Sequence, residues 1–172
     1  MNEKQDPTKG ATERIFVVTV DNEPGVLARV SGLITGRGWN IYSLTVHVFD
    51  DRPKVAVMTF KFMATTELSE QVVNQIGKLV PVHSVEDLTG NPSRIEVRLV
   101  LVKVVIGRNP ADLPRTVIAH AEKQGGVLFS RGLKGALFFV RTGSEDECRS
   151  FIADMRQFGT VSTNGSGTVA LA

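Results

Sequence analysis

The stretch TVDNEPGVLARVSGLITGRGWNIYSLTV, residues 19–46, joins an apolar strand to an apolar helix through Asp-Asn-Glu-Pro-Gly. Upstream, RIFVVTV (14–20) is a β-branched run of the buried-strand type. Downstream, Val26, Leu27, Val30, Leu33 and Ile34 recur at helical spacing and stop at GRG. Pro24 suits a first helical turn, where no donor is needed, and Gly36 and Gly38 supply the exit. Such a junction directs the first-turn amides of Gly25, Val26 and Leu27 outward, and the helix dipole adds partial positive charge there. Gly25 has no side chain to hold a ligand off its backbone. Asn22 precedes the helix, and Asn40 opens the next strand beside that loop. Each offers a donor and an acceptor, as a zwitterionic amino acid requires. A plainer reading, in which Asn22 caps the helix and Asn40 shapes a turn, stays open on these residues alone.

The pattern continues on both sides. NIYSLTVHVF (40–49) and KVAVMTFKF (54–62) form a hairpin around the polar turn DDRP, and Leu68, Val72, Ile76 and Leu79 stripe a second helix. VHSVEDL (82–88) closes the unit, so the order is β-α-β-β-α-β over residues 14–89. TGNPS (89–93) is the boundary signal. The second half repeats the order: IEVRLVLVKVVI is a long strand, and a helix starts near Asn109 or Asp112 and stops at Gly-Gly. VLFSRG and GALFFVRTG form a hairpin. Ser144 and Glu147 fit a capping box for a helix striped by Cys148, Phe151, Ile152, Met155 and Phe158. TVST and GTVALA are terminal strand pieces around the loop NGSG. The expected fold is α+β: a disordered tail (1–13) followed by two ferredoxin-like βαββαβ units, 14–89 and 90–172. Units of this size have thin cores and gain burial by pairing with a second copy.

Chemistry is sparse elsewhere. The three histidines, His47, His83 and His120, are far apart and form no H-x-x-x-H pair, and Cys148 sits on an apolar stripe. No nucleophile elbow or P-loop occurs, so the residues nominate no catalytic group and no metal ligand. The carboxylate pairs Asp50–Asp51 and Glu145–Asp146 lie at turn or cap positions. A net charge of +2, without a Lys/Arg run, disfavours nucleic-acid binding. One cysteine excludes an internal disulfide and fits a reducing cytoplasmic setting. No apolar run has the length of a membrane span, and the polar first residues are no secretory signal.

The quoted stretch also resembles the ACT domain of acetohydroxyacid synthase (acetolactate synthase) small regulatory subunits. That family shows N-E-x-G-x-L-x-R-V-x-G-L and then R-G-[YF]-N-I-x-S-L-T-V. Here these are Asn22 to Leu33 and Arg37 to Val46, with Trp39 in the aromatic place. QIGKLVPVHSVEDLT, RLVLVKV, FIADMRQFG and GTVALA are similar to further family segments, so the resemblance covers nearly everything after the tail. It implies a non-catalytic subunit with no cofactor of its own. Its partner would be the catalytic subunit, which carries thiamine diphosphate, Mg and FAD. The family activates that partner and usually confers feedback inhibition by valine or another branched-chain amino acid. The effector sits between two ACT domains of a homodimer. Carried onto this chain, the effector residues are Asn22, Gly25 and Asn40, with amides at Val26 and Leu27. Tyr42 stands where the family usually has glutamate, Val57 where it tends to have a basic residue, and Arg98 where it has an acid. The rival expectation is a free-standing ACT amino-acid sensor controlling another enzyme or regulator.

Overall fold

The structure, a computed structural model, describes residues 10–36, 38–106 and 113–172. Arg37, the proposed helix start at Asn109 or Asp112, and residues 1–9 of the expected tail lie outside the described residues. The described chain divides into two compact units, residues 10–95 with Thr168–Ala172, and residues 96–167. The expected boundary after residue 89 therefore falls inside the first unit, and the last five residues group with it as well.

The first unit runs β1 (Thr12–Asp21), α1 (Val26–Thr35), β2 (Ile41–Phe49), β3 (Arg52–Ala64), α2 (Thr66–Ile76) and β4 (Val82–Asp87). Its sheet order is β2-β3-β1-β4, every pair antiparallel, which is the ferredoxin-like arrangement. Period-two alternation decides the faces. Phe16, Val18 and Val20 of β1 join Ala56, Met58, Phe60 and Phe62 of β3 against Val26, Val30, Ile34, Val72 and Ile76 of the helices. Phe62 lies between Phe16, with ring centroids 5.0 Å apart, and Trp39, at 5.8 Å. Both contacts are stacked, a geometry that adds to simple area burial.

β1 starts two residues earlier than the sequence suggests, and the β2–β3 connection is tighter, only Asp50 and Asp51. Phe49 and Arg52 pair across it, with the guanidinium 4.6 Å from the Phe49 ring centroid, so Arg52 and Pro53 are drawn into β3. α2 is capped by Thr65, whose side chain accepts from the Leu68 amide, and it ends at Ile76, before Leu79 of the expected stripe. The Asp87 carboxylate ties α2 and β1 to β4. It accepts from Ser69, from the Thr89 hydroxyl and from the Thr89 amide at 2.9 Å, and Arg14 stands 3.8 Å away. Burial pushes this carboxyl up, but those hydrogen bonds and the Arg14 charge outweigh it and hold it below the usual carboxylate range.

The second unit repeats the plan with β5 (Ile95–Val105), α3 (Leu113–Lys123), β6 (Val127–Arg131), β7 (Ala136–Gly143), α4 (Glu145–Met155) and β8 (Thr160–Gly165), in the order β6-β7-β5-β8. Its core gathers Val100, Val102 and Val104 with Val117, Ala121, Phe139, Phe151 and Met155. The capping box read from the sequence is present. Glu147 accepts the Ser144 amide at 2.7 Å, and Ser144 Oγ accepts the Glu147 amide at 3.3 Å. The α3 exit needs its second glycine, because a Cβ at Gly126 would stand 2.5 Å from the Phe151 ring.

A short strand, β9 (Val169–Leu171), completes the described chain. Just before it, the Thr168 amide donates to Ser43 Oγ at 2.8 Å and Thr45 Oγ1 donates to the Thr168 carbonyl at 3.1 Å, fixing the segment on β2 of the first unit. Val169–Ala172 and the sheet residues Val17, Thr19, Val57 and Leu88 together line a cavity of about 450 Å³. Among the described residues no helix is long and apolar enough to cross a membrane.

Candidate functional site

β1 ends beside two fixed points. The Asp21 amide donates to the Pro81 carbonyl, and the Asp21 carboxylate lies 2.8 Å from His83 Nε2. Asn22 is then clamped to the start of β3: its amide donates to the Lys54 carbonyl and its Nδ2 to the Pro53 carbonyl, both at 2.8 Å. Asn22 therefore does not cap α1. The N-cap is Gly25, at φ 86° and ψ −6°, with no side-chain cap at all. That left-handed conformation is open to glycine at little cost, and a Cβ there would meet nothing within 4 Å, so the space over the amides is clear.

The amides behave less uniformly than expected. The Val26 amide turns back to the Glu23 carbonyl at 3.3 Å, and the Val26 side chain is buried in the core. Val26 thus contributes packing, and its amide is already engaged. The amides of Gly25 and Leu27 take no partner among the described residues, and the Leu27 side chain is 41% exposed. With Nδ2 of Asn22 committed to Pro53, its Oδ1 is the atom left to accept. The cluster so formed has two donors and the dipole end of α1 for an anion, and a carbonyl-type oxygen for a cation.

Asn40 is not beside this cluster. Asp21 pairs with Val55 of β3, whereas Ile41, next to Asn40, pairs with Phe62. The seven residue steps between Val55 and Phe62 cover about 24 Å of strand. Within one chain Asn22 and Asn40 therefore occupy opposite ends of the sheet, because α1 carries the chain from one end to the other. Asn40 is exposed there, at the head of an edge strand. The same strand exposes Tyr42, Val46 and Val48 by 61%, 45% and 36%. No hydrophobic count of the sequence separates these from core residues; only the edge position of β2 does.

The remaining candidates sit in structural roles. His47 meets the Phe49 ring edge-on, and His120 stands 3.9 Å from Asp154 and against Phe158. Cys148 is 1% exposed, and burial pushes its thiol up despite Arg98 and Arg141 nearby. Among the described residues no group of three or more His, Cys, Asp or Glu is placed to hold a metal.

A family model, the AHAS small subunit-like ACT domain, matches residues 16–84, which contain this cluster and Asn40. A probable acetolactate synthase small subunit of Archaeoglobus fulgidus is 32% identical over 165 residues, spanning 91% of this chain and 94% of the relative. The chain belongs to the acetolactate synthase small-subunit family. The isozyme 3 small subunit of Salmonella typhimurium is 33% identical, over 92% of this chain and 94% of its own. The crystal structure of the acetolactate synthase small subunit from Thermotoga maritima superposes with a TM-score of 0.79 at 25% identity, covering 93% of this chain and 96% of that one. The chain is thus a non-catalytic subunit of the acetolactate synthase type, with the two-unit fold of that family and a regulatory ACT domain at its start.

Proposed function

We propose that this chain activates the catalytic subunit of an acetohydroxyacid synthase and returns feedback to it from valine or another branched-chain amino acid. The catalytic subunit would hold the thiamine diphosphate, Mg and FAD, and the two chains would meet in the cytoplasm. The effector's carboxylate rests on the Gly25 and Leu27 amides at the positive end of α1, and its ammonium group meets Asn22 Oδ1.

One observation carries the arrangement: the 24 Å that the β3 register puts between Asn22 and Asn40. A single amino acid cannot reach both within one chain. Two copies joined antiparallel along their β2 edges would bring Asn40 of one to the sheet end where Asn22 and Gly25 of the other lie. That pairing covers Val46 and Val48, and it lets Leu27 line the pocket for a branched side chain. Occupancy then favours one arrangement of the pair, which the catalytic subunit senses. A coupling of roughly 1–3 kcal/mol is the usual size of such an effect.

Calorimetric titration with valine, leucine, isoleucine and alanine tests the site. Saturable binding of one branched-chain acid, lost in Asn22→Ala and in Asn40→Ala, is expected. Binding that survives both substitutions would remove these residues from the effector site. Reconstitution with the catalytic subunit tests the rest: activation, and its reversal by the same amino acid.

A further inference from the structure

We propose that Ser43 and Thr45 are positioning residues that transmit effector occupancy at Asn40 to the segment Thr168–Ala172. The inference deepens the proposed function and rests on it, since it assigns a route to the regulation of the same site.

β2 begins immediately after Asn40, and its ladder with β3 is interrupted at once. Ile41 pairs with Phe62, Ser43 with Lys61, and Tyr42 is the extra residue between them. Such a bulge leaves its extra residue unpaired and bends the strand locally, and Ser43 is the first residue after it to resume pairing with β3. Leu44 turns inward to the core cluster, which puts its neighbours Ser43 and Thr45 on the opposite sheet face. There they hold both backbone groups of one residue: Ser43 Oγ accepts the Thr168 amide, and the Thr45 hydroxyl donates to the Thr168 carbonyl. Thr168 is 5% exposed, whereas Val169 and Leu171, beyond it, are 51% and 76% exposed above the cavity. The grip on β2 is therefore concentrated at the buried residue, three positions from the effector contact along the strand. A ligand that fixes Asn40 fixes the head of β2, and with it the acceptor of the Thr168 amide.

The thermodynamic consequence is reciprocal: whatever valine adds to the Thr168 hydrogen bond, that bond adds to valine binding. One neutral hydrogen bond is worth roughly two- to tenfold in an equilibrium. Valine is accordingly expected to slow exchange of the Thr168 amide by roughly three- to tenfold in the full-length chain. In Ser43→Ala/Thr45→Val the amide exchanges faster and valine no longer changes its rate, while valine affinity falls by no more than about the same factor. The core amides of Val18 and Phe60 report in the same spectra that the double variant is folded. Valine binding to the wild-type chain with an unchanged Thr168 rate would overturn the transmission route and leave the effector site standing. Failure of the wild-type chain to bind valine, leucine or isoleucine would instead overturn the effector site itself, and the route with it.

Discussion

If the effector site is built from two copies, damage at its two halves must complement. Asn22→Ala removes the oxygen offered to the ligand's ammonium group at one sheet end, and Asn40→Ala removes the side chain at the other, about 24 Å away along the strand. A hydrogen bond to a charged group contributes about 1.5–3 kcal/mol, so either homodimer should bind valine roughly ten- to 150-fold more weakly than wild type. A heterodimer of one Asn22→Ala chain and one Asn40→Ala chain is different. Its twofold interface generates two sites, one lacking both asparagines and one retaining both. Co-refolding chains with two different affinity tags, followed by sequential purification, isolates that species. Calorimetry should then count one valine per dimer at wild-type affinity. No recovered site would refute the composite arrangement, as would full wild-type affinity in either parent homodimer.

Gly25→Ala meets open space, so its stability cost is that of the left-handed backbone, about 1–2 kcal/mol or a Tm roughly 2–8 °C lower. Gly125→Ala, at φ 74°, carries the same backbone cost and also brings its Cβ to 3.2 Å from the Arg141 guanidinium, so it should cost at least as much in a scanning experiment, yet only Gly25→Ala should weaken valine binding, by more than about tenfold. Asp87 has its carboxyl held below the unfolded value of about 3.9, so its stabilisation is complete above that pH and lost as pH falls through the lower folded value. Asp87→Asn should therefore cost about 1–3 kcal/mol in urea unfolding at pH 7 and progressively less below about pH 4. Phe62→Ala empties the space between Phe16 and Trp39 and should cost about 3–5 kcal/mol, read from a lower denaturation midpoint of Trp39 fluorescence together with a red-shifted native spectrum.

Local rules made most of the fold legible. Helical spacing marked α1, α2 and α4, β-branched and apolar runs marked the strands, and Ser144 with Glu147 marked a helix start that the structure reproduces. These signals all act over one or two turns of chain. The candidate site was legible only in its first half, because Gly25 announces itself by the Pro-Gly junction. The rest depends on pairings between residues distant in sequence. Asn22 looks like a helix cap until Pro53 and Lys54 are seen to claim it. Asn40 looks adjacent to it until the Val55 and Phe62 registers place the two at opposite ends. Leu27 belongs to the apolar stripe of α1, but the face it occupies is left open. Thr168 carries no sequence signal that it pairs with residues more than a hundred positions earlier.

The grouping of Thr168–Ala172 with the first unit has a consequence for synthesis. The ribosome makes the first 95 residues, then the 72 residues of the second unit, and only then the segment that rests on the first sheet. At about 5–20 residues per second, the face carrying Val17, Val57 and Leu88 waits uncovered for roughly 4–14 s in each round of translation. A nascent chain stalled in that interval would present this apolar sheet face to chaperones or to its neighbours on a polysome. The quality control of this subunit therefore depends on the codons for Thr168–Ala172 as much as on those for its core.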